Sequence, residues 1–560
     1  MTAGRAAWLF RLLLAGLGGT AVFLSFPSFD LNALAWIALV PLLFAVRGLA
    51  SARAHFLLGW FAGVVTNFGG FYWISGMLVD FGHLPLWLSL FFNLLIAAYQ
   101  GLLYGLWLWG GFHLRRLSGW PAFVILPVTF VVVEYLLPIL FPWYLANSQY
   151  LLVPVIQIAE LGGVLLLSFF LVLANVLLAD ALEAALSKKL APSLVRLGLA
   201  ALVPLALCLY GWLRMGQIDA RAARSEQLTI GLVEADVGIW EKEDPEKIRD
   251  NLVRHQRMSV ELEKRGAELI VWPESSYQIP YTYARRAGSQ DVLRYRLLPR
   301  DVAAVPQSDR PVPEHALEDV ENNVPDLDRV VPQRGFRTPL LFGALTFRRE
   351  ENNGSARHRN VDYLNSAILL DGEGLVLGEY DKVYLLMFGE YIPFGRTFPI
   401  LHEWSPASGD LTAGESVDAL PFGKFRLGVM ICYEDILPKF TRKIAAKRPN
   451  VLINITNDAW FGKTAEPYLH LALAIFRSVE NRVALVRSTN TGVSAFIDPN
   501  GRILSQTRLT EPETLIARLP MMEGRTPYQL LGDWPAYLSL LALAYVLFRF
   551  RGRGEPGKQG

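Results

Sequence analysis

The stretch Leu427-Gly-Val-Met-Ile-Cys432-Tyr433-Glu434 contains an unbroken apolar run of strand length that ends in a cysteine. A strand that is apolar at every position fits a sheet covered on both faces. Helical stretches lie between some such runs, at Pro245–Arg265, with Asp244 as the expected N-cap, and at Leu469–Asn481. Strands that alternate with helices predict a layered α/β domain. The other runs of this type are Leu228–Val233, Glu268–Trp272, Leu340–Leu345, Ser366–Leu370, Val451–Ile455 and Ala484–Arg487.

Charged residues are distributed unevenly along the 560 residues. They make up 19% of the chain, against about 25% in an ordinary soluble protein. Residues 1–215 hold 10 of the 53 Lys and Arg residues and 6 of the 51 Asp and Glu residues. The sequence therefore predicts a membrane domain, 1–215, a polar domain, 216–530, and a final apolar segment with a basic tail, 531–560. A purely soluble enzyme is excluded, and the net charge of only +2 argues against a nucleic-acid partner.

Apolar runs of about bilayer length predict seven membrane-spanning helices in the first domain and an eighth near the C-terminus. The basic residues between these runs fall in every second loop. Because basic residues near span ends are retained in the cytoplasm, this alternation predicts a cytoplasmic N-terminus and an extracytoplasmic polar domain. The runs lie near 8–26, 32–47, 55–78, 85–112, 121–143, 161–186, 193–214 and 533–550.

Three features of the chain leave two interpretations open. The first apolar run also resembles a secretory signal peptide, although no small-residue cleavage site precedes the next run. Glu134 is either a functional intramembrane carboxylate or a hydrogen-bonding partner between helices. The segment 282–337, which is rich in proline and charge, is either a tolerated surface insertion or a lid or partner site.

Three positions carry side chains that are suited to acyl transfer. Glu274 follows the run Glu268–Trp272, Lys382 follows Tyr380-Asp381, and Cys432 ends the run quoted first. A thiol needs a base or a cation to become a thiolate, and a desolvated carboxylate such as Glu274 is a suitable base. Lys382 is then suited to donate to an oxyanion. Together the three residues predict a nucleophile, a base and an electrostatic stabiliser.

Each of these residues also has an ordinary structural interpretation. A lone cysteine after an apolar strand is more often a small core residue than a nucleophile. Trp272-Pro273-Glu274 also fits a strand end with a surface acid, and Tyr380-Asp381-Lys382 fits a turn. The other cysteine, Cys208, lies far away in an apolar run, so no disulfide framework is predicted. The 8 histidines are scattered without ligand spacing, so neither a metal nor an organic cofactor is expected.

The order of these motifs resembles the Glu-Lys-Cys triad of the nitrilase superfamily. Further motifs are similar to one family in particular, the apolipoprotein N-acyltransferases, and the resemblance covers nearly the whole chain. The triad motifs are Trp272-Pro-Glu-Ser275, Tyr380-Asp-Lys382 with Phe388-Gly-Glu390-Tyr-Ile-Pro393, and Ile431-Cys-Tyr-Glu434. The further motifs are Asn457-Asp-Ala-Trp-Phe-Gly462, His470, Arg477-Ser-Val-Glu480, Arg487-Ser-Thr-Asn-Thr-Gly492 and, in the membrane domain, Glu134, Phe141-Pro-Trp143 and Ser148-Gln149.

The resemblance implies a fold and an activity. The fold is expected to be a multi-pass α-helical membrane domain of about eight spans joined to a nitrilase-like four-layer αββα sandwich. Cys432 would take the sn-1 acyl chain of a phospholipid, typically phosphatidylethanolamine, as a thioester. The chain would then pass to the α-amine of the S-diacylglyceryl-cysteine of an apolipoprotein, the last step of lipoprotein maturation.

The resemblance also implies roles for individual residues and a location. Glu274 would be the general base, Lys382 the oxyanion donor and Glu390 a supporting carboxylate. Tyr433 and Glu434 would shape the site beside the nucleophile. The enzyme would be a monomer in the bacterial inner membrane, with its catalytic domain in the periplasm and in contact with membrane lipid.

The chain departs from the family pattern at three places. The segment between Glu274 and Lys382 is long, Leu386-Met387 replaces the usual Val-Pro, and Glu234 stands where the first strand commonly ends in Gln. These departures bear on lid behaviour and lipid preference more than on reaction type. Three alternatives remain: a membrane-anchored nitrilase-family amidohydrolase that passes the acyl group to water, a transporter with a soluble domain, and a non-catalytic scaffold. An intact triad argues against the scaffold, and few intramembrane charges argue against the transporter.

Overall fold

A computed structural model of the chain describes residues 2–244, 247–283, 333, 335–349, 361–387, 389–393, 395, 398, 400, 409 and 411–550. The chain forms two compact units. The first, here called the helical unit, comprises Met1–Arg221, Thr464–Arg482 and Arg525–Gly560. The second, here called the sheet unit, comprises Ala222–Lys463 and Val483–Gly524.

The helical unit is built from long apolar helices, numbered here in chain order. Short 3₁₀ helices at Asn32–Trp36 and Leu145–Gln149 join some of them. The helices are α1 Thr2–Leu24, α2 Val40–Val46, α3 Ala52–Gly70, α4 Trp73–Asp80, α5 Leu86–Ser118, α6 Ala122–Leu136, α7 Val153–Ile156, α8 Ala159–Leu186, α9 Leu190–Ala222, α13 Glu466–Asn481, α14 Pro527–Leu531 and α15 Trp534–Phe550.

Four of these helices are long and apolar enough to cross a membrane: Gly4–Leu24 of α1, together with α5, α8 and α9. The pair α3 and α4 passes the same test together, bent by 53° at its break, which makes up to five spans. The shorter apolar segments Asn32–Val46, Ala122–Leu136 and Trp534–Phe550 coincide with the three remaining predicted runs. Membrane-spanning helices are therefore confirmed, and the count of eight stays a prediction.

Polar and small residues contact one another inside the helical unit. Gly59 and Gly63 of α3 lie so close to α5 that a Cβ on either would collide with the backbone of Tyr104 or Gly101. Small residues allow this approach of two apolar helices.

Glu134 is buried in α6 and accepts a hydrogen bond of 2.9 Å from the backbone N–H of Leu145. This bond supports the structural interpretation of Glu134, and a functional role stays a prediction.

Among the residues that the structure describes, the sheet unit contains two sheets and three α-helices. In the first sheet the strand order is β13-β1-β2-β4-β5-β6, with β3 also paired to β4, and in the second it is β12-β11-β10-β9-β8-β7. The helices are α10 Ile239–Glu243, α11 Ile248–Lys264 and α12 Pro438–Ala445. The strands are β1 Gln227–Glu234, β2 Leu269–Val271, β3 Tyr277–Tyr283, β4 Leu340–Arg349, β5 Val361–Leu370, β6 Val376–Asp381, β7 Leu420–Phe422, β8 Phe425–Ile431, β9 Val451–Asn457, β10 Ala484–Asn490, β11 Ala495–Ile497, β12 Ile503–Gln506 and β13 Glu513–Pro520.

The two sheets pack face to face between helices. The Ser488 hydroxyl on β10 donates across the interface to the carbonyl of Val233 on β1, at 3.4 Å. On the outer face of the first sheet, Ser259 of α11 accepts a hydrogen bond of 2.8 Å from the indole N–H of Trp272. On the outer face of the second, Ile444 of α12 contacts Gly428 of β8. This arrangement confirms the four-layer αββα sandwich.

All seven predicted strands and both predicted helices are present, but some predicted bounds were wrong: β4 continues to Arg349 and β5 begins at Val361. The first helix was expected to begin at Pro245 after an Asp244 N-cap, but it begins at Ile248, because Asp244 instead ends the short helix α10. Its end is as expected, since Gly266 adopts a φ of +87° that suits glycine. The segment 282–337 and the basic tail fall almost entirely outside the described residues, so their roles stay open.

Candidate active site

Cys432 lies at the carboxyl end of β8, in a conformation that is unusual for its residue type. Its φ is +53°, and it begins the 3₁₀ helix Cys432–Ile436. A residue with a side chain rarely adopts this left-handed geometry, so the surrounding bonds must hold it there. One such bond of 3.1 Å runs from the Asn454 amide on β9 to the Cys432 carbonyl. The thiol is thereby fixed at the turn rather than within the strand.

Glu274 lies just beyond β2, at a point where two backbone segments approach closely. A Cβ on Gly343 of β4 would lie 2.7 Å from the Cα of Glu274, so only glycine fits there. The Glu274 side chain is buried. Its Oε1 accepts a hydrogen bond of 2.6 Å from the Asn365 side-chain amide and lies 3.5 Å from the Lys382 ammonium. The carboxylate is therefore held by two donors.

Lys382 follows β6 and lies between two carboxylates. The hairpin of β5 and β6 brings it level with Asn365, whose carbonyl accepts its backbone N–H at 2.8 Å. The buried ammonium lies 2.8 Å from Glu390 as well as 3.5 Å from Glu274. Glu390 also accepts from the Asn365 amide at 3.0 Å and from the Leu386 backbone at 2.8 Å. A fixed cation thus occupies the space between the two acids.

The electrostatic environment determines which of these groups carries a proton. Burial alone would lower the pKa of Lys382, but its electrostatic interactions with Cys432, Glu274 and Glu390 outweigh burial and raise it. Burial, followed by the charge of Glu274, raises the pKa of the Cys432 thiol well above its usual value, although Lys382 opposes the rise. At neutral pH Lys382 is therefore charged and Cys432 is a thiol, so attack by Cys432 requires a base.

Glu434 joins the loop that follows β6 to the loop that carries Cys432. Its Oε1 accepts the backbone N–H groups of Val383 and Tyr384, at 2.8 and 2.9 Å. Its Oε2 accepts the N–H of Ile431 and the hydroxyl of Tyr380, both at 2.7 Å. Burial raises the pKa of Glu434 to about 7, against these donors. These bonds fix the residues on either side of Lys382 and Cys432.

Tyr433 stands next to Cys432 and is half-buried. Burial, followed by the charge of Tyr384, raises its pKa, so its hydroxyl is neutral at any physiological pH. The structure thus brings Glu274, Lys382 and Glu390 into one cluster whose charges act on Cys432, with Glu434 bonded behind it.

Two residues near the site were missed by the sequence reasoning. Asn365 bridges Glu274 and Glu390, and its only signal was a buried polar residue within an apolar strand. Lys242 of α10 donates a hydrogen bond of 3.1 Å to the Glu274 carbonyl, and burial lowers its pKa to about 8. Neither has a recognisable spacing along the chain, because each reaches the site from a separate element.

A buried acid, a buried lysine and a cysteine on an αββα sandwich define a nitrilase-type catalytic domain, here in one chain with a membrane-spanning unit. Residues 240–526 match the carbon-nitrogen hydrolase family, and residues 18–177 match the apolipoprotein N-acyltransferase N-terminal domain. The chain belongs to the apolipoprotein N-acyltransferase family, and it is accordingly an acyltransferase.

Comparison with individual proteins extends this likeness over the full length. An apolipoprotein N-acyltransferase of Geobacter metallireducens is 32% identical over 96% of this chain and 95% of its own. One of Azotobacter vinelandii is 30% identical over 97% and 96%. The solved structure of an amidase from Nesterenkonia sp. aligns with 53% of this chain and 92% of its own, at 19% identity and a TM-score of 0.32. The first two relatives match both units of the chain.

Proposed function

We propose that the protein transfers the sn-1 acyl chain of a phospholipid, through a thioester on Cys432, to the α-amine of the S-diacylglyceryl-cysteine of an apolipoprotein. The observation that carries this proposal is the buried Lys382 ammonium between Glu274 and Glu390, with all three charges acting on Cys432. Full-length likeness to proteins named apolipoprotein N-acyltransferase supports the choice of acceptor.

In the first half-reaction Glu274 takes the proton of the Cys432 thiol as sulfur attacks the ester carbonyl carbon. Lys382 donates a hydrogen bond to the oxyanion, which is stabilised by a charge already in place. Collapse of the tetrahedral intermediate breaks the ester C–O bond. The leaving alkoxide takes the proton from Glu274 and departs as lysophospholipid, which leaves Cys432 as a thioester.

In the second half-reaction the lipopeptide amine attacks the thioester carbonyl. Glu274 takes a proton from the amine nitrogen, Lys382 again donates to the oxyanion, and the C–S bond breaks to release the amide. The Cys432 thiolate then recovers its proton from Glu274. Each half-reaction returns Glu274 and Lys382 to their starting protonation states, as a two-step transfer requires.

Glu390, Tyr433 and Glu434 have supporting roles in this proposal. Glu390 shares the Lys382 ammonium and so keeps it at 2.8 Å from a fixed acceptor. Glu434 holds the loops that carry Lys382 and Cys432. Tyr433 contributes a neutral, half-buried wall beside the nucleophile. Phosphatidylethanolamine is the proposed donor, and a monomer in the bacterial inner membrane with a periplasmic sheet unit is the proposed arrangement.

A two-step labelling experiment tests the reaction. Purified protein incubated with phosphatidylethanolamine that carries a labelled sn-1 chain should form a hydroxylamine-labile adduct. Cys432→Ala should abolish the adduct, whereas Cys208→Ala, the matched control, should keep it. Label that stays on the Cys432→Ala protein would contradict the thioester.

The second step separates acyl transfer from hydrolysis. Addition of a diacylated lipopeptide should move the label onto its amine. Release of the label only as free fatty acid would instead favour the membrane-anchored amidohydrolase. A reporter fused near Gly354, within the sheet unit, should be extracytoplasmic, and a cytoplasmic result would overturn the proposed orientation.

A further inference from the structure

A large cavity opens inside the helical unit, and none of the residues proposed above for catalysis lines it. Its volume is about 710 Å³, which is in the range of ligand sites rather than of packing defects. The ends of α2, α5 and α8 and the starts of α3 and α6 line it. Five helix ends therefore meet around one space in the part of the unit that the structure describes.

The wall of this cavity changes from apolar to charged along the helices. Leu108, Leu126 and Val176 supply apolar surface. Arg115 and Arg116, which also line the cavity, lie in the last turn of α5. At 1.5 Å per residue, about 10 Å of α5 separates Leu108 from these arginines. The cavity is thus amphipathic, with cationic groups at one end.

The charges of the cavity are only partly paired with one another. Arg47 forms an ion pair with Glu183. Among the described residues, no ion pair involves Arg115 or Arg116, and both side chains are exposed. Asp180 also lines the cavity, and the charges of Arg196, Arg115 and Arg47 act on it. The cavity therefore offers two guanidinium groups and one carboxylate to a ligand.

Arginines in the last turn of a helix also interact favourably with the helix dipole. The helix dipole alone would account for two basic residues at the end of an apolar helix. It does not explain why a cavity of this volume is lined by the two arginines together with apolar side chains and the carboxylate of Asp180. A cavity with these three features is typical of a binding site for a ligand that carries a phosphate, an amine and an apolar chain.

We propose that this cavity binds the headgroup of an aminophospholipid from the surrounding leaflet. Arg115 and Arg116 hold the phosphodiester, because guanidinium groups pair with phosphate oxygens in a fixed geometry. Asp180 accepts a hydrogen bond from the headgroup ammonium. The first part of an acyl chain lies along Leu108 and Val176. Basic pockets between membrane helices are established places for lipid headgroups. This lipid is a bound partner of the helical unit and not the acyl donor.

Native mass spectrometry of the full-length protein in detergent tests this site, with phosphatidylethanolamine as the probe. Arg115→Gln combined with Arg116→Gln should lower the affinity for one retained lipid by about tenfold or more, because two charged hydrogen bonds are lost. The matched control is Lys188→Gln combined with Lys189→Gln, which removes the same charge next to α8 from residues that do not line the cavity. The control should retain lipid as the wild type does.

A second variant keeps the proposal testable if the double arginine variant melts early. Asp180→Asn should weaken retention of phosphatidylethanolamine but not of phosphatidylglycerol, which lacks the amine. Equal lipid loss in the lysine control would show general attraction to basic residues and overturn the site. Unchanged retention in the arginine variant, or thermal stabilisation by inorganic phosphate alone as large as that by the lipid, would also overturn it.

Discussion

The side-chain amide nitrogen of Asn365 donates a hydrogen bond of 2.6 Å to Oε1 of Glu274. The same nitrogen lies 3.0 Å from Glu390. The nitrogen must face the two carboxylates, because an amide oxygen there would be repelled by both. Asn365 therefore fixes the proposed base relative to Lys382 without contacting substrate, and we assign it as a positioning residue.

Asn365→Leu removes this donor at nearly constant volume. The rate of thioester formation should fall by roughly tenfold to a hundredfold, the usual effect of losing a hydrogen bond to a charged group. The phospholipid concentration that gives half the maximal rate should not change, because Asn365 does not contact the substrate. Single-turnover acylation over a series of phospholipid concentrations measures both quantities.

Asn450→Leu is the control for this substitution. Asn450 precedes β9 and accepts the backbone N–H of Arg426, at the opposite end of the strand from the candidate site. This substitution should change stability without changing the rate of thioester formation. An Asn365→Leu enzyme that forms the thioester at the wild-type rate would contradict the positioning role.

The rate at which Cys432 is alkylated measures the acidity of its thiol separately from its proposed role in acyl transfer. The charge of Glu274 raises the pKa of the thiol and the charge of Lys382 lowers it. In a Cys208→Ala background, Glu274→Gln should therefore speed alkylation by iodoacetamide at pH 8, and Lys382→Gln should slow it. Each unit of pKa change corresponds to about a tenfold change in thiolate. Both variants should nevertheless be poor acyltransferases, since one lacks the proposed base and the other the proposed oxyanion donor.

Misfolding would not change the alkylation rate in opposite directions in the two variants while it lowers acyl transfer in both. If both substitutions changed the alkylation rate in the same direction, the charges assigned to Cys432 would be wrong. A melting curve for each variant serves as the folding control.

Glu434→Gln tests the connection between the two loops of the site. Four donors point at the carboxylate, and an amide presents its NH₂ group to two of them. A buried donor without an acceptor costs about 1–3 kcal/mol, so the free energy of unfolding should fall by about that amount or more. Chemical denaturation measures the loss. Glu415→Gln, at an exposed carboxylate, should leave stability unchanged.

The elements that the sequence revealed are those whose pattern is local. Each strand buried on both faces is a continuous apolar run, and Glu274 and Cys432 directly follow two of them. The edge strand β12 and the antiparallel strands β6 and β13 are only partly buried, so they carried no such signal. Asn365 could not be found because its role depends on the register of β5 against β6, which places it beside Lys382. The sequence predicted α3 and α4 as one continuous apolar run, because a bend between two helices does not change their hydropathy.

Glu234 gives the sheet unit a stability that depends on pH. Its Oε2 accepts from the hydroxyls of Ser494 and Thr507, both at 2.6 Å, in a buried environment at the end of β1. Burial, opposed by these donors, raises its pKa from 4.5 to about 8. The folded protein therefore holds a proton up to about pH 8 that the unfolded chain releases near pH 4.5. The stability that this carboxyl group contributes is fully present below the pKa of the unfolded chain. It is lost as the pH rises through the pKa of the folded protein.

Glu234→Gln removes this dependence, because the amide resembles the protonated acid and has no charge to desolvate. The wild type should lose of the order of a few kcal/mol of unfolding free energy between pH 5 and pH 8.5 through this group, and the variant should lose correspondingly less. Denaturant titrations at several pH values measure the difference. Glu415→Gln should reproduce the wild-type slope, since that carboxylate is exposed. A Glu234→Gln protein whose stability still falls as steeply as the wild type would show that the buried carboxyl is ionised throughout, held so by Ser494 and Thr507.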